Sequence, residues 1–350
     1  MAGRNAGRCF VGSFTSSGGR GIVVADVDPR TGALTATGVI ADPVTDPSYL
    51  AVGHAETGPV LYAVSEVAPG SVAAYDVAGP EPSPLGEPVL VGGDEPTHLA
   101  LAQGCLLTAN YGSGSVSVLP LTGAGRPLPP SSVLGHTGSG PHPERQRAPH
   151  THQVLPDPSG RWVLSVDLGT DAVRVCALDA LTGNLTLHGT TTLPPGTGPR
   201  HLAFHPSGGH AYVLGELRPA VVVCRWDAVA GVLQPAGEAE LFPEGIDVPV
   251  QPSAPVVAHD GRHLWAGVRG TDTVAVFALD GSGEGAELVT AVPCGGEWPR
   301  DLALDPSGRH LYAANERSGD VTWFDLDTAT GVPRPAGALS VPSASNVVFG

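Results

Sequence analysis

Pro199-Arg-His-Leu-Ala-Phe-His-Pro-Ser-Gly208 and Pro299-Arg-Asp-Leu-Ala-Leu-Asp-Pro-Ser-Gly308 are two copies of one phrase. Weaker copies begin at Pro47, Pro96, Pro149 and Pro252, so successive copies lie 49, 53, 50, 53 and 47 residues apart. Each leads into an apolar run, such as LYAVSE at 61–66, AYVLGE at 211–216 and LYAANE at 311–316. A valine-rich run follows, then in most units a Gly-x-Leu turn signal and one more short apolar stretch. Four short strands recurring about every 50 residues match one blade of a β-propeller.

Six units open on their own first strand. The N-terminus supplies CFVGSF and GIVVADVD, which read as second and third strands with no first strand before them. The C-terminus supplies Ser345-Asn-Val-Val-Phe349, a first strand with nothing after it. Joining the two ends completes a seventh blade and leaves no open sheet edge between termini. The sequence therefore predicts an all-β fold: one seven-bladed β-propeller domain over residues 1–350, closed by its C-terminal strand.

Composition agrees with this and removes whole classes of function. The 48 glycines and 35 prolines imply many turns, while 41 % hydrophobic residues suffice for a core. All 18 basic residues are arginine, so Schiff-base chemistry and P-loop phosphate binding have no lysine to use. A net charge of −16 argues against nucleic acid as a partner. There is no 18-residue apolar stretch and no apolar leader in MAGRNAGRCF, so neither membrane insertion nor secretion is expected. Five cysteines without close spacing suit the reducing cytoplasm. Cys176 and Cys224 occupy the slot of Tyr75, Leu119, Phe277 and Phe324, a packing position.

First and second strands run antiparallel, so the start of one and the end of the other share one mouth of the channel. The second strands end on Glu66, Tyr111, Asp167, Glu216, Arg269 and Glu316; the first strands start on Ser48, Thr97, His150, Arg200, Ser253 and Arg300. Such a set is either a ring of structural ion pairs or a functional cluster, and a concave mouth favours the second. His152 falls at the slot of Leu50, Leu99, Leu202 and Leu302, and His150 precedes it by two residues. It reads as a core histidine or as a site residue. A His-x-His pair can bind metal, but no third ligand is evident, so no metal or other cofactor is expected. Residues 122–149, with His136, His142, Arg145 and Arg147, are the longest break in the repeat and read as a lid or clamp, or else a solvated insertion.

At these residues the chain resembles the seven-bladed lactonase family, which includes propeller-type 6-phosphogluconolactonases and fungal carboxymuconate cyclases. The likeness rests on Ala109-Asn-Tyr-Gly-Ser-Gly-Ser-Val116, His136-Thr-Gly-Ser-Gly-Pro141, Arg145-Gln146, Pro149-His-Thr-His152, Asp167-Leu-Gly-Thr-Asp171, Gly198-Pro-Arg-His201, Gly215-Glu-Leu217 and Arg269-Gly270. The resemblance implies a cofactor-free lactone hydrolase. It carries a catalytic set onto His150 or His152, Arg200, Glu216 and Arg269. Arg145, Gln146, Asp167, Arg300, Glu66, Asn110, Tyr111 and Glu316 are expected as substrate-binding residues. Two departures stand: Gly215-Glu216-Leu217 replaces Asn-Glu-Leu, and Gly267-Val268-Arg269 replaces Ser-Asn-Arg.

These residue types suit ester chemistry. Glu216 or a histidine would activate water, and Arg200 with Arg269 would hold an oxyanion. The expected partner is a small lactone or other anionic substrate. The same groups could run a ring closure, which keeps a cyclase or another recruited enzyme open, with a non-catalytic binding propeller as the third reading.

Overall fold

The computed structural model describes residues 7–41 and 44–350. The single-domain and leader readings extend over residues 1–6 and 42–43, which lie outside the described residues. Seven antiparallel sheets stand in a ring. Six begin with their own innermost strand: Leu50–Ala55, Pro96–Ala102, Thr151–Pro156, Pro199–Phe204, Gln251–Val257 and Pro299–Leu304. The seventh takes Gly7–Ser13, Ile22–Val27 and Leu34–Ile40 from the N-terminus and Ala344–Phe349 from the C-terminus. That last strand pairs with Gly7–Ser13 from Cys9 opposite Phe349 to Ser13 opposite Ala344. The chain is thus a seven-bladed propeller closed as the repeat predicts.

Both faces of the inner strands are apolar, and each face needs a neighbour. Seven hydrophobic clusters answer this, each straddling two adjacent blades. Cys176 and Cys224 are fully buried in two of them. A polar staple recurs beside the clusters. Tyr62, Tyr212 and Tyr312 donate from one second-strand slot to the carbonyls of Gly125, Gly283 and Gly32, and Trp265 donates to Gly331, at 2.7–2.9 Å. Each acceptor lies in the next blade's outer turn at positive φ, 65° to 83°. A side chain there would meet the staple or its neighbours, which explains the Gly of the turn signal.

One blade departs from the expected frame. Thr151, not Pro149, stands opposite Asp167, and Gln153 stands opposite Val166. In the next blade Pro199 faces Gly215 and His201 faces Leu214. His152 is therefore the counterpart of Arg200, and Val154, fully buried, fills the leucine slot. Asp167 matches Gly215, so Leu168 takes the slot of Glu216. The expected alignment of His150 with Arg200 slips by two residues because it was anchored on a proline. Counting back from Asp157-Pro-Ser-Gly160 gives the observed frame.

No described helix is long and apolar enough to cross a membrane. Deleting residues 344–350 would leave the Gly7–Ser13 strand with an unpaired edge. The truncated chain is expected to melt at lower temperature and to self-associate, read by calorimetry and size-exclusion chromatography. A monomer of unchanged melting temperature would contradict the closure.

Candidate active site

The start of the innermost strand is irregular in six blades. The ladder skips Thr97, His152, Arg200, Arg300 and Ser345 singly, and Ser253 together with Ala254. These are β-bulges, which bend the strand and re-aim a side chain. A tether sits beside them. The residue before the bulge segment is left-handed at Asp46, Glu95, Gly198, Trp298 and Ser343, with φ between 49° and 66°. Its carbonyl accepts the N–H of Glu66, Tyr111, Glu216, Glu316 and Phe14, respectively, at 2.8–3.1 Å. Bulge and tether together bring one residue from each strand end to the same mouth.

Glu216 is the centre of the result. It is 3 % exposed, yet three arginines reach it. Arg269 Nη2 donates to Oε2 at 2.7 Å, and Arg145 Nη2 donates to Oε1 at 2.6 Å. Arg200 Nε lies 3.3 Å from Oε2, within ion-pair range but off the line of a hydrogen bond. Burial alone would raise the carboxyl's pKa, but Arg269, Arg200 and Arg145 overcome it and hold it at about 2. Arg200 is pushed the other way, to about 9, because burial and neighbouring Arg269 outweigh Glu216. Arg200 also donates to the Ser253 carbonyl, and Arg269 Nε to the Gln251 carbonyl at 2.9 Å.

A second ion cluster lies beside it with the opposite balance. Arg300 stands between Glu66 at 3.3 Å and Glu316 at 3.2 Å. Burial raises the Glu66 pKa, while Arg300 and the Ser48 hydroxyl pull it back. A narrow cleft of only about 10 Å³ lies between the clusters, with Glu66, Arg200, His201, Arg300 and Asp301 on its wall.

The two predicted histidines differ. His150, half-buried, stacks on Tyr111 at 4.5 Å and donates from Nδ1 to the Tyr111 carbonyl at 3.0 Å, leaving Nε2 as its acceptor. His152 is buried, edge-on to Tyr111 and His201, with Nδ1 unpaired. Burial, then Arg200, Arg300 and Arg269, press its pKa well below the ordinary value, so it is a neutral imidazole. Among the described residues, no three His, Cys, Asp or Glu side chains are arranged to hold a metal ion.

The structure brings together Glu216, Arg200, Arg269 and Arg145, and sets His152 against the same guanidiniums. Tyr111 joins them through its hydroxyl, 3.3 Å from Arg145. Gln146, Asp167 and Asn110 stand apart, each fully buried. Gln146 is tied to the Leu168 carbonyl, Asp171 and the His142 N–H. Asp167 is taken up by His136, Arg174 and the N–H groups of His150 and Gly169. Asn110 binds Thr108, Ser115 and Ser117. Ser132–Gly135 forms the outer strand of its blade, and the Gln146 and Asp167 contacts pin residues 136–149 after it, so that stretch is an anchored arm that presents Arg145. At Gly215 and Gly267 an added Cβ would come within 2.5 Å of Arg218 backbone or the Ser253 hydroxyl. Two of the three departing positions are thus packed as glycines, and the third, Val268, is fully buried in an interblade cluster.

Sequence reasoning missed the layer beneath. His98, His201 and Tyr49 form a buried ring cluster with His152, spaced 4.1–6.2 Å. Burial and Arg200 hold His98 neutral, at about 3, and burial lifts buried Asp301 to about 6. The signal was available: the residue after the bulge is His98, Gln153, His201, Asp301 or Asn346 in five blades, Tyr49 holds the same place in the blade without a bulge, and only Ala254 is apolar.

A family profile described as "Lactonase, 7-bladed beta-propeller" matches residues 8–349. The 6-phosphogluconolactonase of Bacillus subtilis is 36 % identical over 327 residues, 92 % of each chain. The solved periplasmic gluconolactonase of Pseudomonas aeruginosa superposes with a TM-score of 0.90 at 30 % identity, covering 98 % of each chain. A putative 6-phosphogluconolactonase from Bacteroides fragilis gives 0.90 at 27 % identity, covering 100 % of this chain and 99 % of that one.

Glu216→Gln would leave Arg200 and Arg269 buried without their counter-charge. We expect a loss of roughly 3–5 kcal/mol of stability at neutral pH, recovered in part by added phosphate. Because the folded pKa lies below the ordinary 4.5, this contribution is complete above about 4.5 and fades as pH falls toward 2. Melting curves of both proteins should therefore converge in acid; a constant gap would refute the assignment.

Proposed function

The chain belongs to the seven-bladed β-propeller lactonase family, and from that premise we propose that it hydrolyses a sugar lactone bearing an anionic group, with 6-phosphogluconolactone as the first candidate. The observation that carries this reading is one carboxylate shared by three arginines at a closed mouth. Three guanidiniums against one carboxylate leave net positive charge in a protein of net charge −16. That funnels an anion inward.

The chemistry follows from charge. As water adds to the lactone carbonyl, negative charge grows on its oxygen, and Arg200 and Arg269 are placed to stabilise it. The proton of the attacking water needs an acceptor. Both oxygens of Glu216 are already taken by guanidiniums, so it is not free to accept it. We assign the task to His152, neutral, unpaired at Nδ1 and facing the same arginines. The proton it takes then passes to the ring oxygen as the acyl bond breaks. Glu216 keeps the arginines aligned and mutually tolerable before substrate arrives. His150, with Nε2 free at the rim, contacts the substrate. Five free, buried cysteines suit action in the cytoplasm.

Arg200→Ala and Arg269→Ala should each lower kcat by about 10²–10³-fold, and His152→Asn by about 10²–10⁴-fold. The assay follows lactone loss in excess of spontaneous hydrolysis, with unphosphorylated lactones and unsaturated diacids in parallel. Conversion of a diacid without lactone hydrolysis would replace hydrolysis by ring closure. Full activity of His152→Asn would move the base to His150.

The pH profile gives a separate check. A base whose pKa lies well below 6.5 stays deprotonated into acid. The acid limb of kcat/KM should therefore fall well below pH 6.5, and a limb at the ordinary imidazole value would exclude His152.

A further inference from the structure

Trp298 is the one aromatic residue among the left-handed positions that precede the bulges; its counterparts are Asp46, Glu95, Gly198 and Ser343. A bulky side chain at φ 66° is unfavourable, and its retention calls for a use. The backbone supports it: the Trp298 N–H donates to Asp272 at 2.8 Å, and its carbonyl holds Glu316. The indole is half-buried at the rim. The Arg317 guanidinium lies 3.3 Å from the ring centroid and that of Arg269 lies 5.5 Å away.

Arg317 is exposed and has no ion pair among the described residues. Nothing neutralises it, and the indole face holds it in place. The two guanidinium carbons are separated by at most the sum of the two ring distances, roughly 9 Å. Arg269 belongs to the inner cluster, so Arg317 marks a second cation one substrate length outward. A phosphate ester on the far carbon of a six-carbon lactone falls within that span when the carbonyl sits by Arg269.

We propose that Trp298 and Arg317 form an outer anion subsite for the distal phosphate of a phosphorylated sugar lactone. Trp298 is a positioning residue that holds Arg317 over the mouth and Arg269 toward Glu216. The proposal rests on the lactonase reading for the orientation of the substrate, and it accounts for selection between phosphorylated and plain lactones.

The test is a titration of 6-phosphogluconate and of gluconate, followed by tryptophan fluorescence and by calorimetry. Trp162, Trp226, Trp265 and Trp323 are buried, so the response reports mainly on Trp298. The wild type is expected to prefer the phosphorylated acid by about 10-fold or more. Arg317→Ala should bring that ratio close to one, and Arg317→Lys should restore only part, since it keeps the charge and loses the planar stack. Trp298→Phe should remove the fluorescence response and narrow the calorimetric ratio. A ratio unchanged in Arg317→Ala, or no binding of either acid by the wild type, overturns the subsite. A preserved ratio lost in Arg317→Ala, with no turnover of any lactone, supports the subsite and overturns the hydrolase reading instead.

Discussion

A blade with two apolar faces cannot end the structure; it can only be followed by another blade. This constraint governs the whole molecule. Seven interblade clusters repeat around the ring, and the last of them requires residues from both chain ends. The strand Ala344–Phe349 is therefore the closing part of the ring. Its loss would expose a sheet edge and two hydrophobic faces at once. The aromatic staples add direction to this stacking, because each donor reaches a carbonyl only in the next blade.

The same repetition makes the site. Each innermost strand begins with a bulge in six blades, and the tether beside it recurs with little variation in length. The scaffold thus offers a ring of equivalent positions whose identity is free to vary. Three of the six bulged blades fill the bulge with Ser or Thr, which bind backbone, as Ser253 does with Gly267 and Pro299. Three fill it with Arg200, Arg300 and His152. The ionisable side chains sit in the blades that break the hydroxyl pattern, and the bulge aims them at the mouth.

Electrostatics then divides the mouth. The Glu216 side has three arginines to one carboxylate; the Arg300 side has one arginine to two. Far from water these imbalances are weakly screened. Burial first, and then the arginines, press the buried histidines into the neutral form, while the arginines hold Glu216 in the charged one. The charges are thereby divided: the histidines stay neutral beside the guanidiniums, and the carboxylate holds the cations.

The fold was legible because its signal is periodic and local. Copies of one phrase, a repeat near 50 residues and an orphan strand at each terminus imply the closed ring without any knowledge of distances. Arg200, Glu216 and Arg269 were legible for the same reason, since strand direction alone sends their slots to one mouth. The role of Glu216 was not, because a pKa depends on how many guanidiniums converge, and Arg145 arrives from an arm outside the repeat. Gln146 and Asp167 looked like site residues in sequence, but they hold that arm from beneath. His152 shows the boundary most clearly. Its residue type marked it as an anomaly, yet anchoring on a proline placed it in a leucine slot, and the hydrogen-bond ladder makes it the counterpart of Arg200, as a count back from Asp157 also does. Sequence by itself determined the repeat, the closure and the mouth. Register, bulge and the gathering of charge were decided in three dimensions, because each depends on which backbone group pairs across the sheet and on which side chains meet away from water.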